Sequence, residues 1–182
     1  MASIVEGHGD RNALPTLIKK LKPNTILYEP TRIPRDKFLN DNEFRGRHLQ
    51  IMRSFVEYKD NKAVIILFDA EEECCKELLN KIQATVLADI DKILSGINYI
   101  FALAEKGYES WLVAGFGGPD TGKGNPQKWL KDNIPSLNGR YRKAVGQKRM
   151  SAQLDIERAK NNSPSFHRFA EKITALPLSI HP

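Results

Sequence analysis

Cysteine is nearly absent: Cys74 and Cys75 are the two in 182 residues, and they are neighbours. Adjacent cysteines close a disulfide only through a strained ring, so reduced thiols are expected and a disulfide scaffold is excluded. Histidine is scarce as well, and His8, His48, His167 and His181 are too scattered to complete a zinc site. No apolar run approaches the roughly 20 residues of a membrane-spanning helix, which excludes a span. No basic stretch with an apolar core behind it precedes the first strand-like segment, and cytoplasmic residence is the expectation. Internal repeats and low-complexity tracts are missing too.

The 41% hydrophobic and 27% charged fractions are those of an ordinary globular protein, and this length suits one domain with one substantial core. The net charge of +6 is unevenly placed. Residues 1–110 carry 16 Lys and Arg against 17 Asp and Glu, whereas residues 111–182 carry 12 against 5. The carboxyl-terminal third therefore holds the positive field. A basic face beside an acidic pocket suits a polyanion such as nucleic acid, while a solvated basic surface accounts for the asymmetry equally well.

Apolar runs and helical periodicity alternate along the chain. Strands are expected at residues 2–6, 25–28, 63–68 and 97–104, and helices at 12–21, 40–58, 75–94 and 108–114. The proline-punctuated stretch 29–35 reads as a loop. After Gly115 the texture turns to Gly and Pro, then to helices around 126–132, 146–160 and 165–176. Strands alternating with helices imply an α/β fold with about four mainly parallel strands flanked by helices. A core over residues 1–115 is expected to carry a basic helical extension over 116–182, packed on it as one unit.

Two of the expected strands end on acid. Ser3-Ile4-Val5 runs into Glu6, followed by Gly7-His8-Gly9-Asp10, and residues 63–68 run into Asp69-Ala70-Glu71-Glu72-Glu73. Ligands of open parallel sheets sit at the carboxyl edge of the strands, and carboxylates gathered there repel one another unless a cation compensates. Hard oxygen donors select a divalent ion such as Mg2+ or Mn2+, which in turn holds phosphate. Gly7 and Gly9 leave backbone room beside Glu6, and Asp10 is equally placed to join the site or to cap the next helix. Asp69 follows six apolar residues, where a carboxylate is costly without a cation or donor. Its alternation with Glu71 puts both side chains on one side of an extended segment, whereas Glu72 and Glu73 suit the first turn of a helix.

Glu109 follows the fourth strand, either as a third acid of the centre or as a first-turn helix acid. Arg140, Arg142, Lys143, Lys148 and Arg149 cluster around Tyr141 as candidate phosphate contacts, with a solvated face as the plain alternative. Residues 117–123 fit the phosphate-loop spacing G-x-x-x-x-G-K. Position 124 is Gly where Ser or Thr is needed, Pro119 interrupts the loop, and no strand precedes it. A linker or lid is the better reading there.

Together these segments resemble the Toprim domain, the metal-binding fold of topoisomerases, bacterial primases and overcoming-lysogenization-defect nucleases, through Glu6 in IVEGHGD and Asp69 and Glu71 in LFDAEEE. More narrowly, the chain is similar to a family of stand-alone Toprim-like bacterial proteins of unknown function. In that family an Ile-Val-Glu-Gly opening precedes Asp-rich, Tyr-Glu-x-Trp and Ser-Pro-Ser-Phe segments, here residues 4–7, 69–73, 108–111 and 163–166. The resemblance implies a Rossmann-like Toprim sheet, Mg2+ or Mn2+ as cofactor, Glu6, Asp69 and Glu109 as catalytic residues, and Glu6, Asp69, Glu71 and Glu73 as metal ligands. Glu71 replaces the second aspartate of an Asp-x-Asp motif, and its longer side chain leaves that ligand open between Glu71, Glu72, Glu73 and a bridging water. Gly146-Gln147 stands where the family pairs Asp with Gln.

No Tyr is placed as a topoisomerase nucleophile and no zinc-binding region of the primase kind is present. The reaction implied is hydrolysis of nucleic-acid phosphodiesters, that of a nuclease acting on DNA or RNA. The resemblance also implies an ATPase partner in a phage or mobile-element defence system. A non-catalytic interaction subunit of an ATPase or sensor complex is the alternative, and association into a homo-oligomer stays open.

Overall fold

The computed structural model describes residues 1–58, 63–119 and 124–177. Four parallel strands, β1 (Ala2–Val5), β2 (Thr31–Arg32), β3 (Ala63–Asp69) and β4 (Asn98–Ala104), form one sheet in the spatial order β2-β1-β3-β4. After β1 comes α1 (His8–Leu21), after β2 come α2 (Arg35–Asn40) and α3 (Asn42–Tyr58). After β3 come α4 (Cys75–Ile82) and α5 (Ala88–Ile93), joined by a π-helical stretch at Gln83–Leu87, and after β4 comes α6 (Tyr108–Gly115). Then follow α7 (Pro126–Asn133), α8 (Lys143–Gln153), α9 (Ile156–Asn162) and α10 (Pro164–Ala175). The architecture is α/β with an all-parallel four-stranded sheet flanked by helices, consistent with a Rossmann- or Toprim-like fold.

β1 apart from Ser3, and β3 apart from Asp69, are apolar and buried, as strands covered on both faces must be. Their side chains alternate between two apolar clusters. Ala63, Ile65 and Leu67 pack with α1, α6, α8 and α10 on one face, and Val64, Ile66 and Phe68 pack with α2, α3, α4 and α5 on the other. Val5 lies opposite Leu67, and Asp69 opposite Ala104. The carboxyl ends of β1, β3 and β4 therefore come level at one edge. Among the described residues no helix is long and apolar enough to cross a membrane.

Four local expectations shift. The edge strand falls at Thr31–Arg32 rather than at 25–28: Ile26 is exposed, and Pro30 and Pro34, which have no N–H to donate, bracket a strand of two residues. α1 begins at His8, four residues early, because Asp10 in its first turn accepts the Gly7 N–H at 2.9 Å and closes the helix start. The stretch expected as loop through Arg35 becomes α2 from that residue on, with Pro34 fixing the backbone before it. The single helix expected at 146–160 breaks at Leu154-Asp155, where Asp155 turns its carboxylate to accept Arg158 N–H at 3.0 Å and caps α9.

Trp111 anchors the face that carries the extension. Its ring is fully buried, stacked on Phe169 with centroids 4.9 Å apart, and its indole N–H donates to Ser165 Oγ at 2.9 Å. Trp111→Ala is expected to lower the free energy of unfolding by about 3–5 kcal/mol, and Ser165→Ala, which orphans the indole donor, by about 1–3 kcal/mol. Urea titration of the two variants beside the native sequence checks both.

Candidate functional site

Asp69 ends β3 in the position that follows Ile65 and Leu67 in the alternation, so its side chain lies on the α1 and α6 face. There Tyr108 N–H, at the start of α6, donates to Asp69 Oδ1 at 3.0 Å, and the positive end of that helix favours the carboxylate. Position 107 needs glycine for this approach: its φ is 115°, and a Cβ would stand 3.1 Å from Asp69 Oδ2. Glu109 is buried on the same helix. Asp10 is buried in the first turn of α1, where Gly7 and not Asp10 is the N-cap; it accepts Gly7 N–H, and its charge acts on Asp69.

Helix α8 closes over this group. Gln147 Nε2 donates to Asp10 Oδ1 at 3.1 Å, and Lys143, one turn earlier, places Nζ 3.5 Å from Asp69 Oδ2 and 3.8 Å from Glu109 Oε2. Tyr141 O–H donates to Glu109 Oε1 at 3.3 Å. The two helices approach this closely because position 9 is glycine, where any Cβ would overlap Gln147 Oε1. Gly146, in the place where an aspartate was expected, lies against the Tyr141 ring.

Glu6 belongs to the other half of the centre. It follows Ile4 in the alternation, and the groups acting on its charge are Arg35, Glu71 and Asp36, together with the Asp69 main-chain amide that hydrogen-bonds it. Arg35 is buried at the start of α2. It donates through Nη1 to Asp69 O at 2.8 Å and sets Nη2 3.0 Å from Glu73 Oε1 and 3.7 Å from Glu71 Oε2. Asp69 and Glu71 do not share a side, because the strand ends at Asp69 and Glu71 has a φ of 53°. That turn carries Glu71 to Arg35, while Glu72 meets Lys106 at 3.5 Å.

Of the basic residues read as phosphate contacts, Lys143 is turned inward, and Arg140, Arg142, Lys148 and Arg149 are exposed. Arg149 Nη1 also donates to Ser136 O at 3.4 Å. Residues 120–123 of the glycine-rich loop, Lys123 included, lie outside the described residues. Arg35 and Tyr141 went unassigned from sequence, as did the inward turn of Lys143. The available signal was spacing: Lys143 and Gln147 stand four apart, in line with Met150 and Leu154, so an apolar helical stripe carries a cation and an amide at its front.

Burial raises the Asp69 carboxyl to about 7, with Asp10, Glu109 and Glu6 adding like charge and Lys143 opposing. Burial also raises Glu6 and Glu109, against the pull of Arg35 and Lys143 respectively. Burial works against the charge of Lys143, yet Glu109, Asp69 and Asp10 outweigh it and hold the ammonium above its ordinary range.

Among the described residues no three Asp, Glu, His or Cys side chains group tightly enough to hold a metal ion by themselves. A closed cage built from Glu6, Asp69, Glu71 and Glu73 is not what the geometry offers, since Arg35 engages the last two. Mg2+, however, commonly takes one or two protein carboxylates and completes its shell with water and phosphate. Glu6 and Asp69 fit that smaller requirement, and Glu6 Oε2 is buried without a hydrogen-bond partner, an orphaned hard oxygen that a cation would satisfy. A cleft of about 250 Å³ opens beside Glu109, between Lys106 and the start of α7. No family model, curated protein or solved structure matches this chain.

A raised carboxyl means that the folded state holds its proton more tightly than the unfolded chain. Between about pH 4 and pH 7 stability therefore falls as pH rises, and above that window the Asp69 contribution is flat. Asp69→Asn, which keeps an acceptor for Tyr108 N–H, is expected to make that slope shallower, leaving the part due to Glu6 and Glu109, and to resist more urea than the native sequence at pH 8. Urea titrations at intervals across the window compare the two slopes.

Proposed function

We propose that this chain is a divalent-metal-dependent phosphodiesterase that cuts nucleic acid, with Mg2+ or Mn2+ held by Glu6 and Asp69. The observation that carries the reading is that neighbouring parallel strands deliver two acids, Glu6 and Asp69, to one edge of the sheet, where the Asp69 main-chain amide hydrogen-bonds Glu6 and the Glu6 charge acts on the Asp69 carboxyl. The backbone adds support. Both turns leaving the edge pass through a left-handed residue, Glu71 and Lys106, each with a φ of 53°, and such strain concentrates at functional sites.

When bound, the ion would draw charge from a phosphate oxygen and favour attack by water. In that attack the water oxygen bonds to phosphorus as the phosphorus bond to the leaving oxygen breaks. The water proton passes to bulk solvent and the leaving oxygen takes one from it, Glu6 Oε2 being the atom that would hold the ion. Tyr108 N–H fixes Asp69, and Glu109 with Tyr141 positions Lys143, whose ammonium meets the charge that develops on the phosphate. Arg140, Arg142, Lys148 and Arg149 lie outside the centre as contacts for neighbouring backbone phosphates. An ATPase partner and a role in defence against phage or mobile elements accompany the reading through the resemblance alone.

Purified protein, Mg2+ or Mn2+, and single- and double-stranded DNA and RNA test it. Glu6→Gln and Asp69→Asn are expected to slow cleavage at least a hundredfold, and Lys143→Met about a hundredfold. Cleavage at one rate in all four proteins, or cleavage that survives EDTA, rejects the enzyme. An assembly with an ATPase that keeps its function through Glu6→Gln and Asp69→Asn would put the non-catalytic subunit in its place.

A further inference from the structure

A second cleft, of about 230 Å³, adjoins the one beside Glu109. Gly124, Asn125 and Pro126 line both. The new cleft has apolar surface from Val113, Pro126 and Trp129, and polar groups from Asn125, Lys128, Asp132 and Asn133. Glu109, in the first cleft, and Val113, in the second, stand four residues apart on α6. One helical turn, about 5.4 Å, separates their rows on that helix, comparable with the step from a nucleotide's phosphate to its own base.

Trp129 is held where it faces this space. Its main-chain N–H donates to Asn125 O at 3.0 Å, its main-chain carbonyl accepts from Asn133 Nδ2 at 2.9 Å, and Asn125 caps the helix by accepting Lys128 N–H at 3.0 Å. The ring is half-buried against Val113 and Gly118. An indole bordered by amides, an ammonium and the Asp132 carboxylate suits a flat heteroaromatic ring that stacks and also offers both donor and acceptor edges.

We infer that the Trp129 cleft receives an unpaired nucleobase of the strand whose phosphodiester lies at the acidic centre, so that the preferred substrate is single-stranded. This rests on the phosphodiesterase reading for where the phosphate goes. A base inside a duplex has both faces covered and its pairing edge engaged, so it enters such a cleft only after unstacking. Stacking asks for a π-face and not for a given base, so tolerance of sequence follows.

The chain has two tryptophans, and Trp111 is sealed in the core, so a ligand that quenches fluorescence reports on Trp129. The native protein in Ca2+, a hard divalent ion that takes the same kind of carboxylate oxygen, is titrated with a short thymidine homopolymer and with a hairpin duplex of equal length. The single strand is expected to quench and to bind at least tenfold tighter than the duplex. Trp129→Ala is expected to weaken the single strand about tenfold, and Trp129→Tyr, which keeps an aromatic face, to retain most of the affinity. Absence of quenching, equal binding of duplex and single strand, or unchanged affinity in Trp129→Ala overturns the inference. Metal-dependent cleavage of duplex without quenching sinks this inference and spares the phosphodiesterase. Quenching without any cleavage leaves the base site standing and rejects the enzyme.

Discussion

Carboxylates delivered to the end of a buried parallel sheet must be compensated, and the arrangement around them follows from that requirement. Asp10, Asp69 and Glu109 meet where water is largely excluded, so their repulsion is poorly screened. Lys143 supplies the counter-charge from α8, and Gln147 on the same helix face occupies an oxygen of Asp10. Glu6, Glu71 and Glu73 are compensated by Arg35 from α2. Each half of the centre thus has its own buried or half-buried cation, brought by a helix that sequence patterning alone had no reason to place there.

This changes the meaning of the basic carboxyl-terminal third. Its charge invites a surface reading, yet Lys143 is spent inside the molecule on the acids of the amino-terminal part. The extension is required for the centre to be electrostatically tolerable, and α8 could not lie so near α1 with a side chain at position 9. Of the exposed basic residues, Lys148 and Arg149 stand on a helix already committed to the core, and Arg140 and Arg142 precede it.

β1, β3 and β4 were legible because strands buried on both faces need continuous apolar runs, and 63–68 is such a run with Asp69 marking its end. β2 was not, since two residues at a sheet edge carry no periodicity, and the apolar residues 26–28 attract the assignment instead. The same logic separates the site residues. Glu6 and Asp69 could be placed because strand ends fix them. Glu71 could not, because a single left-handed residue rotates it out of the alternation, and nothing in the run Asp-Ala-Glu-Glu-Glu signals that φ. The inward turn of Lys143 and the role of Arg35 are tertiary facts, decided by which helix crosses which edge.

A phosphate approaching this edge adds negative charge to a place that already holds four carboxylates, Glu6, Asp10, Asp69 and Glu109. Against them stand Lys143 and Arg35, and Arg35 is shared with Glu71 and Glu73. The balance leaves the centre negative whenever its acids are ionised, so an anion reaches it only if protons stay on or a further cation arrives. Protons alone are a poor answer near neutrality, where an Asp69 carboxyl titrating at about 7 is only partly protonated and Lys143, held charged by these same acids, is already committed. A divalent ion taken between Glu6 and Asp69 would reverse the sign of the field at the point where the phosphate must sit, and would free Lys143 to face the substrate. The excess of acid over resident base is the physical argument behind the proposed ion, and it draws on no family likeness.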